Sequence, residues 1–103
     1  CIGDGSPAGQ CKPTDMLPVG SRSPLGDSRW GNRDFSGSVA EWTLDYYTGS
    51  FSGWGPDFVE TVGVVRTLRG SGYDGLPVTL TTKRRSGLPP SKRADSVGIR
   101  CLR

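Results

Sequence analysis

The chain has 103 residues, of which 13 are Lys or Arg and 10 are Asp or Glu, and it contains no histidine. Its length fits one domain or less, and the lack of histidine excludes a hydrolase that uses a histidine general base. With 16 Gly and 8 Pro, the composition favours a loop-rich fold over a helix bundle. A core this small depends on staples such as disulfides, metal or partner contacts.

The first half of the chain contains one predicted strand. Residues 1–26 are rich in Gly, Pro and Ser and are predicted to form irregular loop. Residues 27–38 continue this loop towards the strand. Residues 41–47 then alternate Trp, Leu and Tyr with Thr, Asp and Tyr. This period of two is typical of a half-buried strand.

The second half contains three further predicted strands. Residues 48–56 are a turn-rich insertion, and the β-branched residues 62–68 predict a strand that ends at a Gly-Ser-Gly turn. Residues 78–83 are rich in Thr and predict a third strand. A loop anchored by two prolines covers residues 86–95, and residues 97–102 predict the last strand. No helix longer than a turn or two is predicted.

The stretch from Asp34 to Glu41 has the composition of a metal-binding loop. These two carboxylates flank Gly37 and other small residues, whose backbone can turn tightly and point carbonyl oxygens inward. Calcium takes roughly six to eight oxygen ligands from carboxylates, carbonyls and water. The loop lacks the repeated acidic positions of an EF-hand. From the spacing alone, a turn whose acidic side chains face solvent is the simpler interpretation.

Four blocks of sequence together resemble a known family. They are PVGS at residues 18–21, WGNRDFSGSVAEWTLDYY at 30–47, RGSGY at 69–73 with Arg85 after it, and VGIRC at 97–101. This order is similar to that of the formylglycine-generating enzymes, or sulfatase-modifying factors, whose C-terminal part reads PVG, GLYDMxGNVWEWxxDWY, RGGSW and GFRC. The resemblance implies an α+β, C-type-lectin-like fold that is loop-rich, with short antiparallel strands and little helix. It also implies that residues 1–103 are the C-terminal part of a longer domain.

The family resemblance favours a calcium site over a solvated turn. Carried over by position, Asp34 and Glu41 would bind Ca²⁺ through their side chains, while Gly37 and Val39 would bind it through their carbonyl oxygens. A second family calcium site uses an upstream segment. Residues 4–6, with Asp4 and Ser6, are the candidate remnant of that site.

The copper site of the family's oxidases has no counterpart in this chain. Those enzymes bind copper through two cysteines between the RGGSW block and the following arginine, whereas residues 70–85 contain no cysteine. Gly72 also precedes Tyr73 where the motif has serine. A thiolate is the soft ligand that selects monovalent copper. Other branches of the superfamily use histidine-ligated iron, which a chain without histidine cannot bind in that way.

Two functions follow from these departures. The first is a divergent, non-catalytic domain that binds a peptide, glycan or protein ligand. The alternative is part of an oxidase or oxygenase whose metal ligands lie upstream of Cys1. The sequence leaves the ligand and the oligomeric state open.

The three cysteines predict one disulfide and one odd thiol. Cys1 and Cys11 enclose a Gly-, Pro- and Ser-rich segment, and a crosslink there is worth roughly 2–3 kcal/mol. Cys101 lies in the family's terminal strand, where some members bridge it to a cysteine in the N-terminal half. This pattern favours an extracytoplasmic location (secreted, periplasmic or surface). Three reduced cysteines in a cytoplasmic protein are the alternative.

The basic residues do not predict nucleic-acid binding. The basic residues that could contact phosphates are Lys83, Arg84, Arg85, Lys92, Arg93, Arg100 and Arg103. However, acidic residues are almost as numerous, and the aromatic residues are not interleaved with the basic run as in stacking platforms. A solvated face is therefore predicted. No membrane span is predicted either.

Three aromatic residues have competing interpretations. Trp42, on the first strand, is predicted to be core. Trp54, flanked by glycines, could stack on a sugar or peptide, although a plug over a loop is the simpler interpretation. Tyr73 could line a ligand groove or pack beneath one.

Overall fold

A small four-stranded sheet organises the molecule. The computed structural model describes residues 7, 10–35, 37–50 and 53–101. Its strands are β1 (Ala40–Tyr46), β2 (Arg66–Arg69), β3 (Arg85–Leu88) and β4 (Val97–Gly98), and their order in the sheet is β3-β2-β1-β4. Two 3₁₀ helices, Pro13–Asp15 and Pro77–Thr79, are the helical elements of the described residues. The prediction of short strands and little helix is confirmed.

The sheet is mixed, whereas only antiparallel strands were predicted. β1 pairs antiparallel with β2, and β2 pairs antiparallel with β3. β4 instead lies parallel to β1, with Ala40 opposite Val97 and Glu41 opposite Gly98. Parallel neighbours need a long crossover connection. The chain between β1 and β4, which contains both β2 and β3, supplies it.

The first strand was predicted to within one residue at each end. The pairing of β1 with β2 is irregular, because the register shifts between Trp42 and Tyr46. Arg66 of β2 lies beside this irregularity. Its guanidinium stacks 3.7 Å from the Tyr46 ring centroid and donates a hydrogen bond to the Leu44 carbonyl. The side chain of Arg66 therefore connects the two strands where the regular ladder does not.

The prediction of a strand at residues 78–83 is wrong. This segment contains the end of the 3₁₀ helix Pro77–Thr79. Pro77 has no N–H for a sheet ladder, and the Thr79 hydroxyl donates to the Leu76 carbonyl at 2.6 Å. Such local bonds compete with strand pairing. The partner of β2 is β3, which extends into the predicted loop at 86–95.

The remaining strands are shorter than predicted. β2 begins at Arg66 rather than at residue 62, and β4 ends at Gly98 rather than at residue 102. Gly63 lies before β2 against Tyr46, and a Cβ on this glycine would lie 2.8 Å from the Tyr46 Cβ. The segment before β2 therefore packs across the end of β1 rather than extending the ladder.

The core lies at the centre of β1 and β2. Ala40, Thr67 and Leu68 are the buried residues of the part that the structure describes. Trp42, predicted to be core, is half-buried and lies opposite Leu68. Val19, Leu25 and other large apolar side chains are exposed. With so little apolar burial, polar contacts between loops and sheet have a large share in positioning the loops.

Candidate functional site

An ion pair between Glu41 and Arg100 forms the centre of the candidate site. Arg100 Nε donates to both Glu41 carboxylate oxygens, at 2.9 and 3.0 Å, and Nη2 donates to Oε1 at 2.6 Å. The Glu41 side chain is 28% exposed and the Arg100 side chain is 27% exposed. Charge-assisted contacts of an arginine fork with a carboxylate are among the stronger hydrogen bonds in proteins. This pair therefore joins β1 to the segment that follows β4.

The sheet register explains why these two residues meet. Glu41 lies opposite Gly98 on β4, and alternate residues of an extended chain point to the same side. Arg100 follows Gly98 by two positions and so reaches the face on which Glu41 lies. Gly98 has no side chain to occupy the space between them.

The same guanidinium also binds the loop before β1. Nη1 donates to the Arg33 carbonyl at 2.9 Å, and Nη2 donates to the Asp34 carbonyl at 3.1 Å. The hydrogen bond to Glu41 raises the pKa of Arg100 and outweighs the opposing effect of desolvation. The guanidinium is thus a permanent positive charge between the loop and the strand.

The Asp34 carboxylate has a different partner. Its Oδ2 accepts a hydrogen bond from the Gly20 N–H at 2.6 Å. Asp34 has a φ of 49° and Gly20 a φ of 80°. Asp and Gly are residue types that adopt this left-handed region readily. The contact fixes the segment at residues 18–21 against the loop before β1.

Gly37 and Val39 form a tight turn in the same loop. Gly37 has a φ of 88°, and its carbonyl accepts a hydrogen bond from the Val39 N–H at 2.8 Å. The Val39 side chain packs beside Gly98, where an added Cβ would lie 2.9 Å from Val39 Cγ2. Val39 therefore packs against the strand that precedes Arg100, and Gly37 shapes the turn before it.

The carboxylates of Asp34 and Glu41 are not arranged to share one calcium ion, because each is hydrogen-bonded to a different group. Glu41 binds a guanidinium with both oxygens, and Asp34 binds a backbone N–H. A divalent cation at Glu41 would lie beside the charge of Arg100, and like charges at contact distance repel. Calcium binding by Asp34, Gly37, Val39 and Glu41 stays a prediction. The proposed second site at Asp4 and Ser6 lies outside the described residues.

Arg100 is the functional residue that sequence reasoning missed. The block at residues 97–101 was recognised, but Arg100 was predicted only as part of a solvated basic face. Glu41 and Arg100 are 59 positions apart, so no local spacing connects them. A usable signal was the presence of a carboxylate on a half-buried strand, because such a group needs a hydrogen-bonded or charged partner.

The comparisons with known proteins identify the family. The model of the FGE-sulfatase family, described as the sulfatase-modifying factor enzyme 1-like domain, matches residues 6–103. The chain belongs to this family. Neither a curated protein nor a solved structure matches it. The FGE-sulfatase domain is C-type-lectin-like, so the predicted fold class is confirmed.

In the FGE-sulfatase oxidases, the segment that corresponds to residues 70–85 carries the copper-binding cysteines. In this chain, part of that segment packs against the loop before β4. A Cβ on Gly72 would lie 2.5 Å from the Ser96 Cβ. Tyr73 is half-buried, and desolvation together with a hydrogen bond to Asp95 raises its pKa. The packing of Gly72 against Ser96 holds this segment to the loop before β4.

Trp54 lies over a loop, in agreement with the simpler of its two interpretations. Its ring centroid is 4.7 Å from that of Phe58. The guanidinium of Arg85 lies 5.5 Å from the ring centroids of both Trp54 and Tyr47. Arg85 also donates to the Thr48 carbonyl at 3.0 Å. These contacts tie the insertion after β1 to the first residue of β3.

The cysteines and the basic cluster complete the predicted features. The proposed bridge to Cys11 involves Cys1, which lies outside the described residues, and Cys101 is an exposed free thiol. The prediction of a solvated basic face holds for Lys83, Arg84, Lys92 and Arg93, whose side chains are exposed. It is wrong for Arg85 and Arg100, which are half-buried and hydrogen-bonded, and Arg103 lies outside the described residues. No helix within the described ranges is long and apolar enough to span a bilayer.

Proposed function

We propose that this chain belongs to a divergent, non-catalytic FGE-sulfatase domain that binds a peptide, glycan or partner protein. The observation that carries the proposal is the lack of any cysteine between Gly70 and Arg85 in a chain that also has no histidine. Without a thiolate in this segment, the soft ligands for monovalent copper are missing where the family resemblance places them.

The local structure of this segment supports a structural role. The hydroxyl groups of Thr79 and Ser71 are hydrogen-bonded at 2.9 Å, and Gly72 packs against Ser96. These contacts hold the turn after β2 to the 3₁₀ helix and to the loop before β4. The residues of this segment therefore hold neighbouring loops together. Binding proteins need such a rigid framework to position the loops that contact a ligand.

The loop before β1 offers the best-placed contact residues for a ligand. Trp30 is 77% exposed, and the Arg29 guanidinium lies 5.2 Å from its ring centroid. Phe35 is also exposed in this loop. Aromatic side chains and arginine are enriched where proteins bind partners. An extracytoplasmic location belongs to the same proposal.

A peptide-oxidation assay tests the lack of catalysis. The protein is incubated with copper, oxygen and a peptide containing Cys-x-Pro-x-Arg, and the peptide is then analysed by mass spectrometry. We expect the cysteine to remain unchanged. Conversion of the cysteine to an aldehyde would contradict the proposal.

A binding assay tests the proposal that the domain binds a ligand. Glycan and peptide arrays are probed with the unmutated chain, with Trp30→Ala and with Val64→Ala, an exposed apolar control near β2. We expect Trp30→Ala to weaken binding at least about tenfold, since truncation of a central aromatic contact costs on the order of 2 kcal/mol. The control should bind as the unmutated chain does. Equal binding by all three proteins would exclude Trp30 as the contact.

A further inference from the structure

We infer that Arg100 is the built-in cation of the loop before β1 and takes the place of a calcium ion at Glu41. The loop would then keep its shape without metal. This inference does not depend on whether the domain is catalytic or binds a ligand.

The first argument is the set of oxygen atoms around the guanidinium. Arg100 contacts both carboxylate oxygens of Glu41 and the carbonyl oxygens of Arg33 and Asp34, at 2.6–3.1 Å. Carboxylate and backbone carbonyl oxygens are also the ligands that calcium takes from proteins. The guanidinium therefore satisfies a donor set of the kind that a calcium loop would present.

The second argument is that strand pairing positions Arg100 next to Glu41. β4 places Gly98 opposite Glu41, so Arg100 is tethered a short distance from its carboxylate partner. A tethered group binds at a high effective concentration. A free cation has to compete with this internal ligand and, when bound, has to lie beside its charge.

The third argument is the orientation of Asp34. Its carboxylate accepts from the Gly20 N–H, while its backbone carbonyl accepts from Arg100. Asp34 thus contributes a neutral oxygen to the cation and uses its charge elsewhere. One carboxylate facing one guanidinium balances the charge of the site, which a divalent ion would not do.

A calcium titration of the unmutated chain is the first test. Thermal unfolding is measured with EGTA and with about 5 mM calcium, which exceeds the roughly millimolar dissociation constants of weak extracellular sites. We expect the same Tm in both conditions. A rise in Tm with calcium that is absent in Glu41→Gln would overturn the inference.

Substitution of Arg100 is the second test. Arg100→Met leaves the Glu41 carboxylate without its partner and should lower Tm by roughly 5–15 °C. Arg100→Lys keeps the charge but loses the planar fork, so an intermediate Tm is expected. Arg93→Met removes an exposed arginine and is the matched control. Equal Tm values for Arg100→Met and Arg93→Met would contradict the inference.

An NMR measurement covers the case in which Arg100→Met does not fold. In the unmutated chain, the Arg100 Nε–H signal should exchange slowly with water, because Nε donates to Glu41. It should also keep its chemical shift when calcium is added. Loss of that protection on addition of calcium would show that the ion displaces the guanidinium and would reject the inference.

Discussion

Thr43 and Thr67 lie on neighbouring strands of the sheet, and their hydroxyl groups differ in hydrogen bonding. Thr67 on β2 is only 1% exposed, and its hydroxyl has no hydrogen-bond partner among the residues that the structure describes. Thr43 on β1 donates its hydroxyl hydrogen to the Thr67 carbonyl at 3.3 Å. The hydroxyl of Thr43 therefore contributes to strand pairing, whereas that of Thr67 is buried at a cost.

Replacement of each threonine by valine should have effects of opposite sign. Thr67→Val removes an unpaired hydroxyl without a change of shape and should raise the free energy of unfolding by roughly 1 kcal/mol. Thr43→Val breaks a hydrogen bond and should lower it by roughly 0.5–1.5 kcal/mol. Urea unfolding of the two variants measures both values. Destabilisation of the two variants to the same degree would show that the Thr67 hydroxyl has a partner.

At the residue scale, sequence reasoning placed the candidate residues in one loop but not their contacts. Asp34 does lie in the loop that leads into β1, but Glu41 is already the second residue of that strand. Their partners, Gly20 and Arg100, are 14 and 59 positions away. Spacing within the loop carries no information about such distant groups, which only the sheet register brings close.

The elements were predicted well where alternation of side chains was strong. β1 has bulky residues at every second position and was found nearly in full. Residues 78–83 were predicted from composition alone, and there the local bonds of Thr79 and the missing N–H of Pro77 prevail. β3 was missed because its sequence, Arg-Ser-Gly-Leu, has little intrinsic preference for strand. Its pairing with β2 is a tertiary effect.

The turn after β2 explains one departure from the family sequence. Gly72 stands where the family motif has serine, and a Cβ at this position would lie 2.5 Å from Ser96 Cβ and 3.2 Å from the Ser96 carbonyl oxygen. The backbone of this turn thus lies against the loop before β4. A serine here requires the two segments to separate.

Restoration of the family residue should therefore destabilise this chain. Gly72→Ser introduces a contact too close for the existing backbone and should cost roughly 1–3 kcal/mol. Gly55→Ser is the matched control, because no atom lies within 4 Å of its added Cβ. Chemical unfolding of both variants provides the comparison. A Gly72→Ser variant as stable as the control would mean that the turn and the loop separate without cost.

On the scale of the whole molecule, the order β3-β2-β1-β4 distinguishes inner strands from edges. β1 and β2 each have neighbours on both sides, and the buried residues Ala40, Thr67 and Leu68 belong to these strands. The loops at residues 10–35 contain large exposed apolar side chains and no strand. Stability is therefore concentrated in the centre of the sheet.

Hydrogen exchange should reveal this concentration. The ladder amides of β1 and β2 should exchange at least roughly tenfold more slowly than amides of residues 10–35, because they open only with the sheet. Mass spectrometry of peptides from the exchanged chain can resolve these regions. Uniform exchange rates along the chain would contradict a stable centre of the sheet.

The distance along the chain between Glu41 and Arg100 has a consequence for biosynthesis. The two residues are 59 positions apart, and a ribosome that adds about 5–20 residues per second needs about 3–12 s to reach the arginine after it has added the glutamate. During that interval, β1 is exposed along the edge that β4 later covers. Uncovered strand edges are places where newly made chains pair wrongly. Arrival of β4 and Arg100 covers that edge of β1 and neutralises Glu41 in the same step.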